Sequence, residues 1–418
     1  MVTTAKILHL VELVMWHRAS CILGLICLWS VAPALAQSGQ GKGAVAAGGA
    51  AAVGQTEIAG EGDDVFAVRG LAVDVTAESA VEARREALRE GQRRALGQIL
   101  RRLTLRTDHL SLPDPDDEVI AQFVAAVAVA KEKTSTVRYL AELTVRFKRN
   151  AVRGLLRSAG IRFSETRAKP ILVLPVFEKG AALSLFEDSN VWRNAWGGVD
   201  LREDSLLPLR LPIGDLKDIT TLTADAALAG KPQQLQNIAR RYGVENVVVA
   251  HAVLGIDLTS GGVPRVQVNL LRFGPGGKST EVLDYSVNVG NDLEAALDRL
   301  ALRVVVDQQE QWKRRTQLSF GTDTSLSAQV PLSGLRDWLA VRKRLGAVAM
   351  VRSFKLLGIS RQDAQVVIDY LGDPDSLAVS LAQRDLNLAR VDGFWVLRLA
   401  GREGEAKDGA KKTGTGAQ

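Results

Sequence analysis

The chain has few of the side chains that most often carry catalysis or bind metals. It contains two cysteines and four histidines among 418 residues. Both cysteines, Cys21 and Cys27, lie within the first 36 residues, and beyond that point the only histidines are His109 and His251. This scarcity argues against a disulfide framework or a zinc site of several His and Cys ligands beyond residue 36. We expect no cofactor.

The sequence also lacks an apolar run long enough to span a membrane as a helix. The longest early run, Cys21–Val31, has about eleven residues, whereas a spanning helix needs about 20. Lys6 and Arg18 precede this run, and Ala34-Leu35-Ala36 follows it, which is the pattern of a signal peptide with a cleavage site. Residues 1–36 are therefore predicted to be a cleaved signal peptide, which predicts a periplasmic protein. A membrane anchor is the alternative, and Met15 is a second possible start.

Charge of one sign does not dominate the chain. The formal net charge is +6, which is small for 418 residues. Such a balance tolerates an anionic lipid or glycan but does not require a nucleic acid. Export argues further against a nucleic-acid partner, and the sequence does not indicate an oligomeric state.

Glycine and alanine are abundant in two segments that have almost no large apolar side chains. Residues 37–62 are predicted to be a flexible linker and residues 401–418 a disordered tail. The rest divides into three small α/β or α+β units with mixed sheets, predicted over residues 63–165, 166–316 and 324–400. The last unit has the order β-α-β-β-α-β of a ferredoxin-like fold.

Local patterns predict the elements of the first unit. Ser79 followed by Glu82 predicts the start of a helix that ends near Leu103. A second helix is predicted over residues 117–131, and the alternation of Tyr139–Phe147 predicts a half-buried strand. An irregularity is expected at Gly70.

Two further patterns mark the middle unit. Ile171–Phe177 is a continuous apolar run that predicts a central strand, although Pro175 weakens this prediction. Residues 266–273 and 282–289 alternate around a Gly-Pro-Gly-Gly turn and predict a hairpin.

Several segments in this order resemble an exported proteobacterial family that is known only as a domain of unknown function, number 2066 in that series. The segments with this resemblance are Ile99-Leu100-Arg101-Arg102-Leu103-Thr104, Tyr139–Phe147, Ala151-Val152-Arg153-Gly154-Leu155-Leu156, Pro170–Val176, Pro212–Asp218 and Ala239–Gly243. The order of elements in the middle unit is also similar to the amino-terminal domain of the Tol–Pal propeller protein and to the periplasmic part of the curli secretion channel. The family of unknown function has no established activity, whereas the Tol–Pal and curli proteins are envelope assembly modules, so this second likeness implies an assembly module rather than a catalyst.

Two groups of side chains are candidate binding surfaces. An arginine-rich helix face that includes Arg93, Arg94, Arg101 and Arg102 is suited to phosphate groups of lipid or glycan. The alternative is a solvated face neutralised by neighbouring glutamates. Trp192 and Trp196, four residues apart, are candidates for a glycan-stacking surface, and the alternative is packing in the core.

Three other side chains are candidates for acid–base chemistry or cation binding. Asp215 and Asp218 lie in an acidic turn, where aspartates more often accept hydrogen bonds from backbone amides. His251 lies in an apolar strand, and a core histidine with a local hydrogen bond is the alternative to a catalytic base.

The sequence therefore predicts a non-enzymatic periplasmic scaffold or assembly factor that binds an envelope protein through sheet edges and a basic helix. One alternative is a hydrolase or transferase that acts on cell-wall or lipid material. Another alternative is a binding module for anionic lipid.

Overall fold

The computed structural model describes residues 64–257, 262–275, 277–289, 292–318 and 323–401. The predicted signal peptide, linker and most of the tail lie outside these ranges. The described part contains ten α-helices, one 3₁₀ helix and three antiparallel or mixed sheets, so the prediction of a mixed α/β and α+β protein is confirmed at this level. All described residues belong to one unit.

The first sheet is antiparallel, with strand order β1-β3-β2. Its helix begins at Ser79, whose hydroxyl accepts from the Glu82 amide at 3.2 Å, and ends at Leu103 as predicted. The bulge at Gly70 is also confirmed. The elements are β1 Ala67–Thr76, α1 Ala80–Leu103, α2 Asp117–Phe123, β2 Val124–Thr134, β3 Arg138–Phe147 and α3 Arg149–Ser158. A 3₁₀ helix, Arg106–Ser111, lies between α1 and α2.

The predicted helix over residues 117–131 is wrong beyond Phe123. From Val124 the chain is extended and pairs with β3 through residue Thr134, with two bulges. The alanine-rich stretch at 125–130 suits a helix locally, but pairing with β3 satisfies its backbone groups in a sheet instead.

The middle sheet is mixed and lies between helices on both faces. Its order is β5-β4-β7-β8-β9, and β6 also pairs with β4. The elements are β4 Ile171–Lys179, β5 Ala182–Ser184, α4 Val191–Gly197, β6 Leu209–Arg210, α5 Leu216–Thr221, α6 Ala224–Ala229, α7 Pro232–Arg241, β7 Asn246–Asp257, β8 Val263–Gly274, β9 Gly277–Asn288 and α8 Leu293–Arg315. The hairpin of β8 and β9 was predicted.

The strand β4 is central and buried on both faces, as predicted, despite Pro175. β7 pairs along one side of β4, while β6 pairs only near Ile171 and β5 only from Phe177 onward. Pro175 lies between these two short stretches, where a missing backbone N–H costs little.

The third sheet has the order β11-β12-β10-β14-β13, with β10 and β14 parallel. Its elements are β10 Asp323–Pro331, α9 Leu335–Leu345, β11 Val351–Ile359, β12 Asp363–Leu371, α10 Pro374–Ala382, β13 Leu386–Val391 and β14 Phe394–Leu399. Each of the three predicted units therefore contains one sheet.

Side chains of the first and third sheets belong to one continuous apolar cluster. The segment at 161–168 joins the end of α1 to α8: the Ser164 amide donates to the Leu103 carbonyl at 2.8 Å, its hydroxyl bonds Thr316 at 2.6 Å, and Trp312 donates to the Thr166 carbonyl at 2.7 Å. These contacts hold α8 against the end of α1, and this arrangement forms the cleft described next.

Candidate anion-binding cleft

A cleft of about 660 Å³ lies between the end of α1, the loop at 200–206 and one face of α8. This volume is within the range of small-molecule sites. Seven basic side chains line it: Arg101, Arg102, Arg106, Arg202, Arg299, Arg303 and Lys313. Four acidic side chains also line it: Asp200, Asp204, Asp307 and Glu310. Basic groups therefore outnumber acidic groups.

Helical spacing places the α8 residues along one wall. Arg299, Arg303, Val306, Glu310 and Lys313 follow one another at intervals of three or four residues, which keeps them on one helix face. Glu310 and Lys313 lie at the inner end beside α1, and Arg299 lies near the outer end.

Arg102 forms part of the cleft wall, and its guanidinium already has two hydrogen-bond acceptors and one ion-pair partner within the protein. Its side chain is 7% exposed and donates to the carbonyl oxygens of Val65 and Ala67 at 2.9 and 2.8 Å. It also forms an ion pair with Asp204. Burial lowers the pKa of Arg102 to about 10, and its pairing with Asp204 opposes this shift. The expectation that Arg102 binds a ligand directly is corrected, because its guanidinium holds the cleft wall together.

Lys313 and Glu310 close the inner end of the cleft. The Lys313 ammonium donates to the Thr104 carbonyl at 2.7 Å, to the Arg101 carbonyl at 3.2 Å and to Glu310 at 2.9 Å. Glu310 also accepts from the Arg106 amide at 3.0 Å. Burial lowers the pKa of Lys313, while the bond to Glu310 counteracts part of the effect. The two charges cancel each other locally.

Three arginines remain without such partners. The guanidinium groups of Arg101, Arg106 and Arg299 are exposed and have no ion-pair or hydrogen-bond partner within the described part of the chain. Arg303 pairs loosely with Asp307, at 3.8 Å, and its guanidinium lies 5.9 Å from the centre of the Tyr285 ring. Since Asp204 and Glu310 are committed to Arg102 and Lys313, the uncompensated charge of the cleft is positive.

His109 adds an imidazole to the inner end. Its Nε2 atom is inaccessible to solvent and makes no hydrogen bond with the described residues. Burial and the nearby Lys313 ammonium lower the pKa of His109, while the carbonyls of Thr104 and Arg101 favour the protonated ring. An anion placed beside the ring would favour the protonated form further.

The other predicted arginines of α1 are neutralised. Arg93 donates to Asp117 at 3.0 Å and to Asp114 at 2.6 Å, and Arg94 donates to Glu90 at 3.3 Å. In this part of α1, the arginines therefore form a solvated face that neighbouring acidic side chains neutralise, as the alternative to a binding face predicted. The expectation of a basic binding face on α1 is corrected, since among Arg93, Arg94, Arg101 and Arg102 only Arg101 both lines the cleft and has an unpaired guanidinium.

Trp192 and Trp196 lie in the core. Trp192 is fully buried and Trp196 is 2% exposed, and their rings meet edge to face at 5.8 Å. Trp192 also donates to the Ala250 carbonyl at 2.9 Å. The expectation of a glycan-stacking surface is corrected, because neither ring faces solvent.

Asp215 and Asp218 stabilise the start of α5. Asp215 accepts from the Asp218 amide at 3.0 Å, and Asp218 accepts from the Gly214 amide at 2.8 Å and from the Tyr242 hydroxyl at 2.6 Å. Arg241 pairs with both carboxylates. Its hydrogen bond lowers the pKa of Asp215 to about 2. The alternative prediction, that these aspartates accept hydrogen bonds from backbone amides, is therefore confirmed.

His251 bonds Glu178 at 2.7 Å across neighbouring parallel strands. Strand alternation places His251 on the face of Val247 and Val249, whereas Trp192 packs on the opposite face of the same sheet. The histidine and the tryptophans thus belong to different layers, and none of the three side chains lines the cleft.

Sequence reasoning did not identify most of the cleft. It proposed Arg101 and Arg102 as candidate binding residues. It did not propose five other residues of the cleft: Arg106, His109, Arg299, Arg303 and Lys313. The spacing of Arg299 and Arg303 on α8 was a usable signal, but nothing local indicated that α8 packs beside α1.

Within the described ranges, no cluster of three or more His, Cys, Asp or Glu side chains is arranged to hold a metal ion. No helix in those ranges is long and apolar enough to cross a membrane. No protein-family model, no curated protein and no solved structure matches this chain.

Proposed function

We propose that this protein is a non-enzymatic binding module of the cell envelope and that the cleft between α1 and α8 takes an anionic group of its partner. The observation that supports this proposal is the set of unpaired guanidinium groups of Arg101, Arg106 and Arg299 around one concavity. Buried acids in the same cleft are already neutralised, so an incoming anion meets net positive charge.

Six of the seven basic side chains that line the cleft are arginines. Guanidinium groups bind phosphate and carboxylate oxygens through two parallel hydrogen bonds. The arginine-rich lining therefore supports an anionic lipid or glycan as the ligand, or an envelope protein that carries an anionic group. The proposal thus joins two of the sequence-based hypotheses, the assembly factor and the anionic-lipid module.

Hydrolase or transferase activity is the weaker alternative. The pairing of Asp215 and Asp218 with Arg241, and the separate layer of His251, argue for structural roles of these side chains. If the enzyme hypothesis holds, Asp215→Asn or His251→Ala proteins will fold normally and lose turnover. Reduced melting temperature, or no effect, counts against it.

Sheet edges provide a second means of attachment in this proposal. In the described part, β2 and β11 each end a sheet and have one side without a neighbouring strand. Such edges accept an added strand from a partner. The side chains of Leu357 and Ile359 on β11 are exposed, which supports a partner contact there.

Several finer assignments belong to the same proposal. We propose export through residues 1–36 and a periplasmic location. Membership of the family of unknown function, number 2066, and likeness to the Tol–Pal propeller protein domain stay proposals. The third sheet is proposed to be a variant of the ferredoxin-like unit, in which β14 is inserted between β10 and β13.

Thermal unfolding in the presence of oxyanions tests the cleft. An anion that binds only the folded state raises the melting temperature by mass action. We expect phosphate and sulfate to stabilise the wild type at constant ionic strength, and an Arg101→Gln/Arg299→Gln protein to lose most of that shift. Arg85→Gln/Arg138→Gln, which removes two exposed arginines elsewhere, is the charge-matched control. Equal shifts in all three proteins would overturn the proposal.

A further inference from the structure

The strand β2 ends the first sheet, and its free edge has no neighbouring strand in the described part of the chain. The stretch Val124–Ala130 contains only valine and alanine. Two bulges bound a regular section, Ala126–Ala130, in which every residue lies opposite one residue of β3. The free edge of this section therefore presents a straight row of backbone donors and acceptors, and the section itself carries no charged side chain.

The other sheet edges in the described ranges have features that oppose pairing with another chain. β1 has the bulge at Gly70 and the exposed Asp74, and β11 has two bulges and the exposed Lys355. The strands β13, β5 and β6 have only six, three and two residues. The sequence of β9 includes one lysine and two acidic residues. Charges, bulges and short strands are common ways to protect a sheet edge, so β2 is the edge where pairing with another strand is expected.

The two faces of β2 restrict which strand can be added. Val127 and Val129 lie on the face that packs against the core. The exposed residues Ala126, Ala128 and Ala130 lie on the opposite face, because side chains alternate along a strand. A shift of one residue would place apolar side chains of an added strand on the wrong face. The added strand therefore needs small residues on one face and β-branched residues on the other, and β2 itself meets this requirement.

We propose that β2 of a second copy of this chain pairs antiparallel with β2 and joins the two three-stranded sheets into one continuous sheet. A two-fold axis through Val127 pairs the stretch Val124–Ala130 with itself in the opposite direction. Ala126 of one copy then lies opposite Ala128 of the other, and Lys131 stays outside the paired stretch. For the use of sheet edges this inference rests on the proposed function, and it goes further by naming the occupant of β2. It does not involve the cleft.

A second copy fits this edge better than two other occupants, residues 37–62 of the same chain and a strand of a different protein. The β2 strand of a second copy is already extended and paired with its own β3, so little conformational entropy is lost when the two edges meet. Residues 37–62 are rich in glycine, which is depleted in strands and loses the most backbone freedom on ordering. A different protein would need the same alternation of small and β-branched residues, which a second copy provides by symmetry.

Analytical ultracentrifugation of the full chain over a range of protein concentrations tests the pairing. The paired stretch is short, so we expect a monomer–dimer equilibrium that depends on concentration rather than a permanent dimer. Ala126→Lys/Ala128→Lys should abolish the dimer, because lysines of the two copies would lie opposite each other. Both positions are exposed, so the melting temperature of the monomer should not change. Ala72→Lys/Thr76→Lys adds the same charge at exposed positions of β1, at the opposite edge of the sheet, and should dimerise like the wild type.

Charge reversal tests whether the partner strand is β2 of a second copy. Ala126→Glu/Ala128→Glu should also be monomeric when it is studied alone. Mixed with the Ala126→Lys/Ala128→Lys protein, it should form a heterodimer, because each lysine then lies opposite a glutamate. A mixture that stays monomeric would overturn the antiparallel pairing of two β2 strands.

Hydrogen exchange of the backbone amides locates the contact. Amides of Val124–Ala130 that point away from β3 should exchange more slowly as the protein concentration rises, whereas exchange in β11 should not change. A wild type that is monomeric at all concentrations overturns this inference, and so does a dimer that the lysine substitutions leave intact. Slow exchange of these amides in a monomer would assign the edge to another segment of the same chain and would also overturn it. None of these results affects the anion-binding cleft, which the oxyanion-dependent rise in melting temperature tests separately.

Discussion

The ammonium group of Lys313 donates a 2.7 Å hydrogen bond to the carbonyl oxygen of Thr104, 209 residues away in sequence. This bond joins the last turns of α8 to the end of α1. It satisfies a carbonyl group that has no partner inside its own helix. The cleft exists because these two helix ends are held together.

Replacing Lys313 by Met should therefore destabilise the fold. The substitution leaves the buried Glu310 carboxylate without its partner, and breaking a buried ion pair costs about 3–5 kcal/mol. Urea unfolding followed by circular dichroism measures the change. Lys131→Met is the control, because its pair with Glu142 is exposed and is worth about 0–1 kcal/mol. A loss for Lys313→Met no larger than for the control would contradict this account.

Two glycine substitutions test the packing of α1 on the first sheet. A Cβ at Gly91 would lie 2.4 Å from Leu143 Cδ1, so Gly91→Ala should cost about 1–3 kcal/mol. A Cβ at Gly154 on α3 meets no atom within 4 Å, so Gly154→Ala should stabilise the protein by about 0.4–1 kcal/mol. Chemical denaturation of both variants checks the opposite signs. A Gly91→Ala protein that is as stable as the wild type, or more stable, would indicate that α1 does not approach β3 this closely.

Trp192 should behave as a core residue. It is fully buried, and truncation to Ala should cost about 3–5 kcal/mol. Trp192→Phe keeps most of the volume but leaves the Ala250 carbonyl without its donor, so it should cost less than the Ala substitution. Thermal and urea unfolding provide the comparison. A Trp192→Ala protein with unchanged stability and lost glycan binding would restore the stacking hypothesis.

Acid stability should depend on Asp215. Its pKa lies at about 2 in the folded protein, below the ordinary value of 3.8, because Arg241 donates to its carboxylate. A lowered pKa favours folding above pH 3.8, and this contribution is lost as the pH falls toward 2. Asp215→Asn should therefore reduce the melting temperature at neutral pH and flatten its dependence on pH in this interval. Asp225→Asn removes an exposed carboxylate that has no ion pair or hydrogen bond with the described residues, so it should leave the slope as in the wild type. An identical slope in both variants would refute the role of the Asp215–Arg241 pair.

Local signals were sufficient where neighbours in sequence determine the structure. Ser79 caps α1, and the alternation of Tyr139–Phe147 gives β3. The same kind of signal failed at Val124, where pairing with a distant strand outweighed the helical tendency of alanine. The cleft could not be predicted from the sequence for a similar reason, since Arg106 and Glu310 come into contact only when α8 packs beside α1. Burial of Trp192 depends on this tertiary packing as well.

A crystal structure of the full chain grown with selenate, an oxyanion with a strong anomalous signal, tests the central claim most directly. The account predicts an anomalous peak in the cleft, within hydrogen-bond distance of a guanidinium group of Arg101, Arg106 or Arg299. An empty cleft, with selenate bound instead along the paired face near Arg85 and Arg94, would contradict it.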